Sequence, residues 1–201
     1  TNGTFTYNLS TSQTYDDDGT YTASVDDAID AAGNDGADGS QTDSYTLDTS
    51  APTISNVSLT NDGQDRLAFS FDSNEQLGSS ASDISVTVLG PSGATYTFDR
   101  NDFAETNNSG SYTYTLSTSQ AYDDGDGTYT ASVEDAVDAD GNDGADGSQT
   151  NTYTLDTTAP DISSVSLSNN GEDNLAISFN SDETLDSIQV SIDCPNTKPV
   201  Y

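Results

Sequence analysis

Residues 137–160 read VDADGNDGADGSQTNTYTLDTTAP, and residues 29–52 have already read IDAAGNDGADGSQTDSYTLDTSAP. Each time a loop of aspartate, glycine and asparagine leads into a short alternating stretch and then into Asp-Thr-Thr/Ser-Ala-Pro. The agreement extends outward in both directions. TYNLSTSQTYDD (6–17) matches TYTLSTSQAYDD (113–124) at an offset of 107, and after a one-residue insertion GTYTASVDDAID (19–30) matches GTYTASVEDAVD (127–138) at 108. TISNVSLTNDGQDRLAFSFDSNEQL (53–77) is answered by DISSVSLSNNGEDNLAISFNSDETL (161–185). The repeating unit is one domain long, and the chain opens and closes part-way through a copy. Residues 1–48 correspond to the C-terminal half of a repeat, 49–156 to a complete one, and 157–201 to the N-terminal half of the next.

Within the complete copy the apolar period is two. LAFSF sets Leu67, Phe69 and Phe71 on one face, and ISVTV does the same with Ile84, Val86 and Val88. Ile54, Val57 and Leu59, then Tyr112, Tyr114 and Leu116, then Tyr129, Ala131 and Val133, then Tyr153 and Leu155 continue the pattern. Alternation in segments rich in Thr, Val, Ile and Tyr predicts half-buried strands. Asn-Asp-Gly, Asp-Gly-Asp-Gly and Ser-Gly punctuate them as turns. Six or seven strands in about 105 residues fit a two-sheet β-sandwich, and no helix is expected.

DDGTYTASV (17–25) and its second copy carry Asp-x-Gly-x-Tyr at the start of a penultimate strand, the arrangement of a tyrosine corner. Tyr21 and Tyr129 would return their hydroxyls to the turn backbone. Ala23 and Ala131 stand where antibody domains hold a cysteine. Cys194 is the only cysteine, so no disulfide can form within the chain. The expectation is all-β: tandem immunoglobulin-like β-sandwich domains without disulfides.

DAAGN (30–34) and DTTAP (156–160) resemble the signatures of bacterial immunoglobulin-like repeats in adhesins and cell-surface proteins. The acidic, Ser/Thr-rich composition is most similar to such repeats in halophilic archaea. The resemblance implies tandem extracellular domains forming a stalk or filament, often stiffened by calcium at domain junctions. The chain departs from it at DADGN (138–142), where Asp140 replaces Ala32 of the first copy, and in DTSAP (48–52).

The net charge is −32, from 35 acidic against three basic residues. That excludes nucleic acid and direct contact with an anionic membrane, both polyanions. Such self-repulsion is relieved by a saline medium or by bound divalent cations. Oxygen-only ligand sets suit Ca2+. Asp138, Asp140 and Asn142 have EF-hand spacing, but Asp143 stands where that loop requires Gly and Gln149 where it requires Glu. Topology groups the acidic residues better. At the incoming pole the expected set is Asp16, Asp17, Asp18, Asp48, Glu75, Asp138, Asp140, Asn142 and Asp143. At the outgoing pole it is Asp62, Asp65, Asp123, Asp124, Asp126, Asp156, Asp182 and Glu183. The alternative is solvated loops neutralised diffusely by monovalent salt.

The chain has no histidine, so imidazole-based triads and metal sites are excluded, and Cys194 beside Pro195 has no evident base. The carboxylates lie on Gly-rich turns rather than in an apolar pocket, and no enzymatic activity is expected. The 11 tyrosines fit a sandwich core with hydroxyls at its rim, or less simply a carbohydrate platform. Asn2, Asn8, Asn56 and Asn107 fit the N-glycosylation acceptor pattern. The first residues carry no Met, which suggests a portion of something longer. The expected partners are neighbouring copies, head-to-tail in a linear assembly, with Leu9, Tyr21 and Val25 sharing a core with Val165, Leu175 and Ile177 of an adjoining copy. No apolar stretch is long enough to insert in a membrane. The second functional reading is an adhesion module that binds a surface or carbohydrate ligand through its pole loops; near-verbatim repetition favours the spacer.

Overall fold

A computed structural model describes residues 3–8, 17–171 and 174–193; Asn2, Leu9 and Asp16 lie outside them. The chain divides into two compact units, 1–155 and 156–201. Among the described residues the regular structure is all strand apart from two single 3-10 turns, Ala81–Asp83 and Arg100–Asp102.

In the first unit, β1 (Gly19–Val25) and β2 (Gln41–Leu47) form an antiparallel hairpin. Eight strands follow: β3 (Ile54–Asn61), β4 (Leu67–Ser73), β5 (Ile84–Leu89), β6 (Thr95–Asp99), β7 (Phe103–Asn107), β8 (Tyr112–Leu116), β9 (Gly127–Ala136) and β10 (Gln149–Leu155). They make two four-stranded antiparallel sheets, ordered β3-β4-β8-β7 and β10-β9-β5-β6. One apolar core joins the sheets. Leu59, Leu67, Phe69, Phe71, Phe103 and Tyr114 of one sheet meet Ile84, Val86, Val88, Phe98, Tyr129, Ala131, Val133 and Leu155 of the other. Rings carry much of the packing: Phe71 stacks on Tyr114 at 5.3 Å, and Tyr122 meets Tyr129 edge-on at 4.6 Å. The second unit contains the hairpin β11 (Ile162–Asn169) and β12 (Leu175–Ser181).

Two features differ from what the sequence predicts, and a third agrees with it. Eight strands stand where six or seven were expected, because β6 and β7 each bury only one apolar residue, Phe98 and Phe103, leaving little alternation to read. The irregular spacing of Ile54, Val57 and Leu59 is a β-bulge. Asn56 adopts φ 51° there, and the β3–β4 register slips between Ser55 and Ser58, returning Leu59 to the core. Ser164 repeats the device in β11 at φ 52°. The tyrosine corner forms as expected: the Tyr129 hydroxyl accepts from the Asp124 N–H and donates to the Gly125 carbonyl, both at 3.0 Å. Tyr21 donates to the Asp17 carbonyl at 2.7 Å.

Candidate metal centre

The loop that opens the sequence reading is built by its own aspartates. Asp138 Oδ1 accepts the N–H groups of Asp140, Gly141 and Asn142 at 2.7–2.9 Å, and Oδ2 accepts the Asn142 side-chain amide. Gly141 supplies φ 96° at the tip. Asp30 does the same work in the first copy, accepting from the backbones of Ala32 and Asn34 and from the Asn34 amide. Next in the loop, Asp143 Oδ1 accepts from Ala136 and Ala145 N–H, as Asp35 does from Ala28 and Ala37. Asp146 and Asp38 then hold the N–H of Ser148 and Ser40. The quoted loop is therefore a chain of side-chain-closed turns.

This scaffold brings three segments to one pole. Asn142 donates its amide to the Asp48 carbonyl at 3.1 Å, and Gly144 lies against the Pro52 carbonyl with no room for a Cβ. Leu77 bridges to Asp138, and the Gly78 N–H donates to the Val137 carbonyl. The result places one oxygen each of Asp48, Glu75 and Asp138 within 4.8 Å of one another, with Asp48 and Glu75 half-buried and Asp138 buried. It is the one such group of acids among the described residues. Burial, and then the charges of Asp48 and Asp138, push the Glu75 carboxyl above its ordinary pKa. Asp138 moves the other way: burial opposes its ionisation, but the Asn142, Gly141 and Asp140 donors outweigh it. The one ion pair among the described residues, Arg100–Glu105 at 2.8 Å, lies elsewhere, with Arg100 over the Tyr114 ring.

The other residues expected at this pole are close in sequence but differently employed. Asp18 clasps the linker, accepting from Thr49 N–H and Oγ1 and from Ser50 Oγ; these bonds, the Thr49 hydroxyl first, hold its carboxyl below the ordinary range. Asp17 contributes its backbone to the tyrosine corner. Asp140 is exposed, and Asp143 is taken up in its turn.

At the opposite pole, the loop at 61–66 lies beside residues 120–122, joined by Tyr122 N–H to the Asp65 carbonyl and by the Tyr122 hydroxyl to the Thr60 carbonyl. Asp62 closes a turn onto Gln64, and Asp65 accepts from the Asn61 amide. Asp123 accepts the Tyr96 hydroxyl, whose pKa burial raises to about 12. Asp124 reaches the β5–β6 turn and accepts from Ser92 and Ala94. Nothing in the sequence marks that role; in the structure Gly90 lies against Asp124, and Gly127 against Pro91, each too closely for a Cβ. Asp126 follows in the same loop. In the second unit, Asp156 accepts from Thr158 N–H and Asp182 from Asp161 N–H, while Glu183 N–H reaches Ser181 Oγ.

Of the glycosylation-pattern residues, Asn8 is exposed, Asn56 donates to Asp72 from the bulge, and Asn107 accepts from Gly110 N–H.

The donor set at Asp48, Glu75 and Asp138 fits a hard cation. It is all oxygen, comes from three separate segments, and has no basic partner among the described residues. Searches against models of known protein families, against curated proteins and against solved structures each find no match to this chain.

Proposed function

We propose that the chain is a stretch of a tandem array of immunoglobulin-like β-sandwich repeats, serving as structural material of an extracellular stalk or filament in a saline medium. The observation that carries this reading is the recurrence of the same devices at a fixed offset. The corner tyrosine, the Asp30/Asp138 loop, the Asn56/Ser164 bulge and the strand registers of β1–β2 and β9–β10 each occur twice. A spacer needs such interchangeable units, and the linker at 48–52 is gripped by the Asp18 and Asn142 side chains. We assign it no catalytic role.

At the pole where residues 48–52 arrive, Asp48, Glu75 and Asp138 would hold Ca2+ and fix the linker against the β4–β5 and β9–β10 loops. The cation would supply neutralisation of three apposed carboxylates, and the chain would supply their placement. Calorimetric titration of the full chain with CaCl2 in molar KCl tests this. The expected result is saturable uptake with a higher melting temperature, lost in Asp48→Asn. Identical melting curves with chelator and with millimolar calcium would leave only diffuse neutralisation by salt.

A further inference from the structure

Four asparagines fit the N-glycosylation acceptor pattern, and the repeat separates them. Asn56-Val57-Ser58 becomes Ser164-Val165-Ser166 in the next copy, and Asn8-Leu9-Ser10 becomes Thr115-Leu116-Ser117. In both cases the acceptor asparagine is gone. The stretch ahead of β8 behaves differently. Thr106-Asn107-Asn108-Ser109 leads through Gly110 and Ser111 into Tyr112-Thr113-Tyr114, and in the preceding copy Thr1-Asn2-Gly3-Thr4 leads into Phe5-Thr6-Tyr7. That earlier stretch is two residues shorter, yet it too holds Asn-X-Ser/Thr. Of the pattern matches, this is the one that recurs.

The geometry of the complete repeat makes the same selection. Asn107 closes β7 opposite Tyr112, and the Asn108 N–H donates to the Ser111 carbonyl at 2.7 Å to turn the chain into β8. Ser109 at φ 61° and Gly110 at φ 96° form the tip, and residues 106–111 are all exposed. Asn107 Oδ1 accepts from the Gly110 N–H at 3.1 Å, and no described residue accepts from its Nδ2. The side-chain oxygen is held and the nitrogen, the atom that receives a sugar, is left uncommitted. Asn56 is the reverse case. Its Nδ2 donates to Asp72 Oδ2 at 2.8 Å from within the β3 bulge, so a sugar there would break a formed bond. The place of Asn8 is taken in the complete repeat by Thr115, which lies mid-strand in β8 between β4 and β7.

We propose that the β7–β8 turn is a modification site, with Asn107 carrying an N-linked sugar chain and the Ser109 hydroxyl completing the acceptor. The donor class is a sugar whose anomeric carbon is activated as a glycosyl phosphate. Asn107 Nδ2 bonds to that carbon as its bond to the phosphate oxygen breaks. The departing phosphate keeps the electron pair, and the amide gives up one proton to a base of the transferase. β7 is the outer strand of its sheet, so a sugar chain at its end would hinder another chain from pairing along that edge. It would also add hydration without adding to a charge of −32. The inference rests on the extracellular placement proposed above and needs no cation.

Mass spectrometry of the whole protein, purified from the cells that encode it, tests the assignment alongside a record of whether it is recovered inside or outside them. Cleavage after glutamate releases residues 106–134, which hold Asn107 and no other match to the pattern. That peptide should exceed the mass of its bare sequence by one or more sugar residues. The increment should vanish in Asn107→Gln and in Ser109→Ala, and persist in Ser109→Thr, which keeps the hydroxyl. Asn56→Gln should leave the sugar content of the peptide ending at Glu75 unchanged. A bare 106–134 peptide overturns the proposal wherever the protein is found, and so does an increment that survives Asn107→Gln. Location tells the two failures apart: bare protein outside the cell leaves the stalk reading standing, whereas bare protein confined within it defeats both.

Discussion

Replacing Glu75 with Gln separates electrostatic cost from cation binding. The side chain keeps its size and loses its charge, beside Asp48 and Asp138 at distances of up to 4.8 Å between donor oxygens. Two unit charges at that separation repel by about 1 kcal/mol in a water-like dielectric and by about 3 kcal/mol at an effective constant near 20. Glu75 faces two such neighbours while only half-buried, so the water-like limit applies best, and the relief is about 2 kcal/mol at 0.1 M monovalent salt. In molar salt, where the screening length falls to about 3 Å, it shrinks below about 1 kcal/mol. The sign against pH follows from the raised carboxyl pKa. A carboxyl raised on folding favours its protonated form, so its contribution to stability is full below the ordinary value of 4.5 and is lost as pH rises through the raised one. Gln should therefore outperform Glu at neutral pH and lose that advantage in acid. Thermal melts of both chains at two salt concentrations, with chelator, measure the effect. Saturating calcium should reverse the order, because the Glu75 carboxylate binds a hard cation more strongly than the neutral amide oxygen that replaces it. A Glu75→Gln chain that melts lower than the parent in chelator at neutral pH would refute the electrostatic reasoning outright.

Other substitutions probe the frame that holds the site. Tyr129→Phe leaves the Asp124 N–H and the Gly125 carbonyl without their shared partner. It should cost about 1–3 kcal/mol, lowering the melting temperature of the complete repeat by about 4–8 °C per kcal/mol. An unchanged melting curve would mean the corner contributes nothing. Gly144→Ala drives a methyl group into the Pro52 carbonyl and should destabilise by about 1–3 kcal/mol; Gly36→Ala, whose Cβ would meet the Ala28 oxygen at an ordinary 3.7 Å, serves as the tolerated control. Acid titration should show the opposite sign to Glu75 at Asp138 and Asp146, whose carboxyl pKa values are lowered by turn donors. Their contribution is present above the unfolded carboxyl range and is lost as pH falls through the lowered values. Amide exchange at Asp140–Asn142 and Ser148 should accelerate there before the core strands open.

The strands that bury several alternating residues were legible in the sequence, as with Leu67, Phe69 and Phe71 or Tyr129, Ala131 and Val133. β6 and β7 were not, since one buried phenylalanine makes no period. The bulge at Asn56 was not legible, because a positive φ at a non-glycine residue leaves no compositional mark. The proximity of Asp48, Glu75 and Asp138 was legible in outline, because the linker and two loops of a sandwich return to one pole. Their separation from Asp18, Asp140 and Asp143 was not. An aspartate closing a turn and an aspartate facing a cation occupy the same Gly-rich loops, and only the positions of the backbone N–H groups tell them apart.

That distinction bears on why the chain is so acidic. Turn closure requires a short side chain with an acceptor oxygen, not a charge. The repeats show this directly: Asn74 accepts from Thr53 N–H at 2.6 Å, and at the matching position Asp182 accepts from Asp161 N–H at 2.7 Å. Asn61 likewise closes its turn onto Gly63 as a neutral amide, and Asn169 onto Gly171. Where asparagine and aspartate do the same local work, folding geometry fixes the oxygen and leaves the charge free. The net charge of −32 is therefore not required by the turns that carry it. Glu75 is the sharpest case. Its carboxylate closes no turn and accepts no hydrogen bond among the described residues, yet it sits half-buried against two other acids. Of the three clustered carboxylates, it is the one whose charge no hydrogen bond among the described residues puts to use.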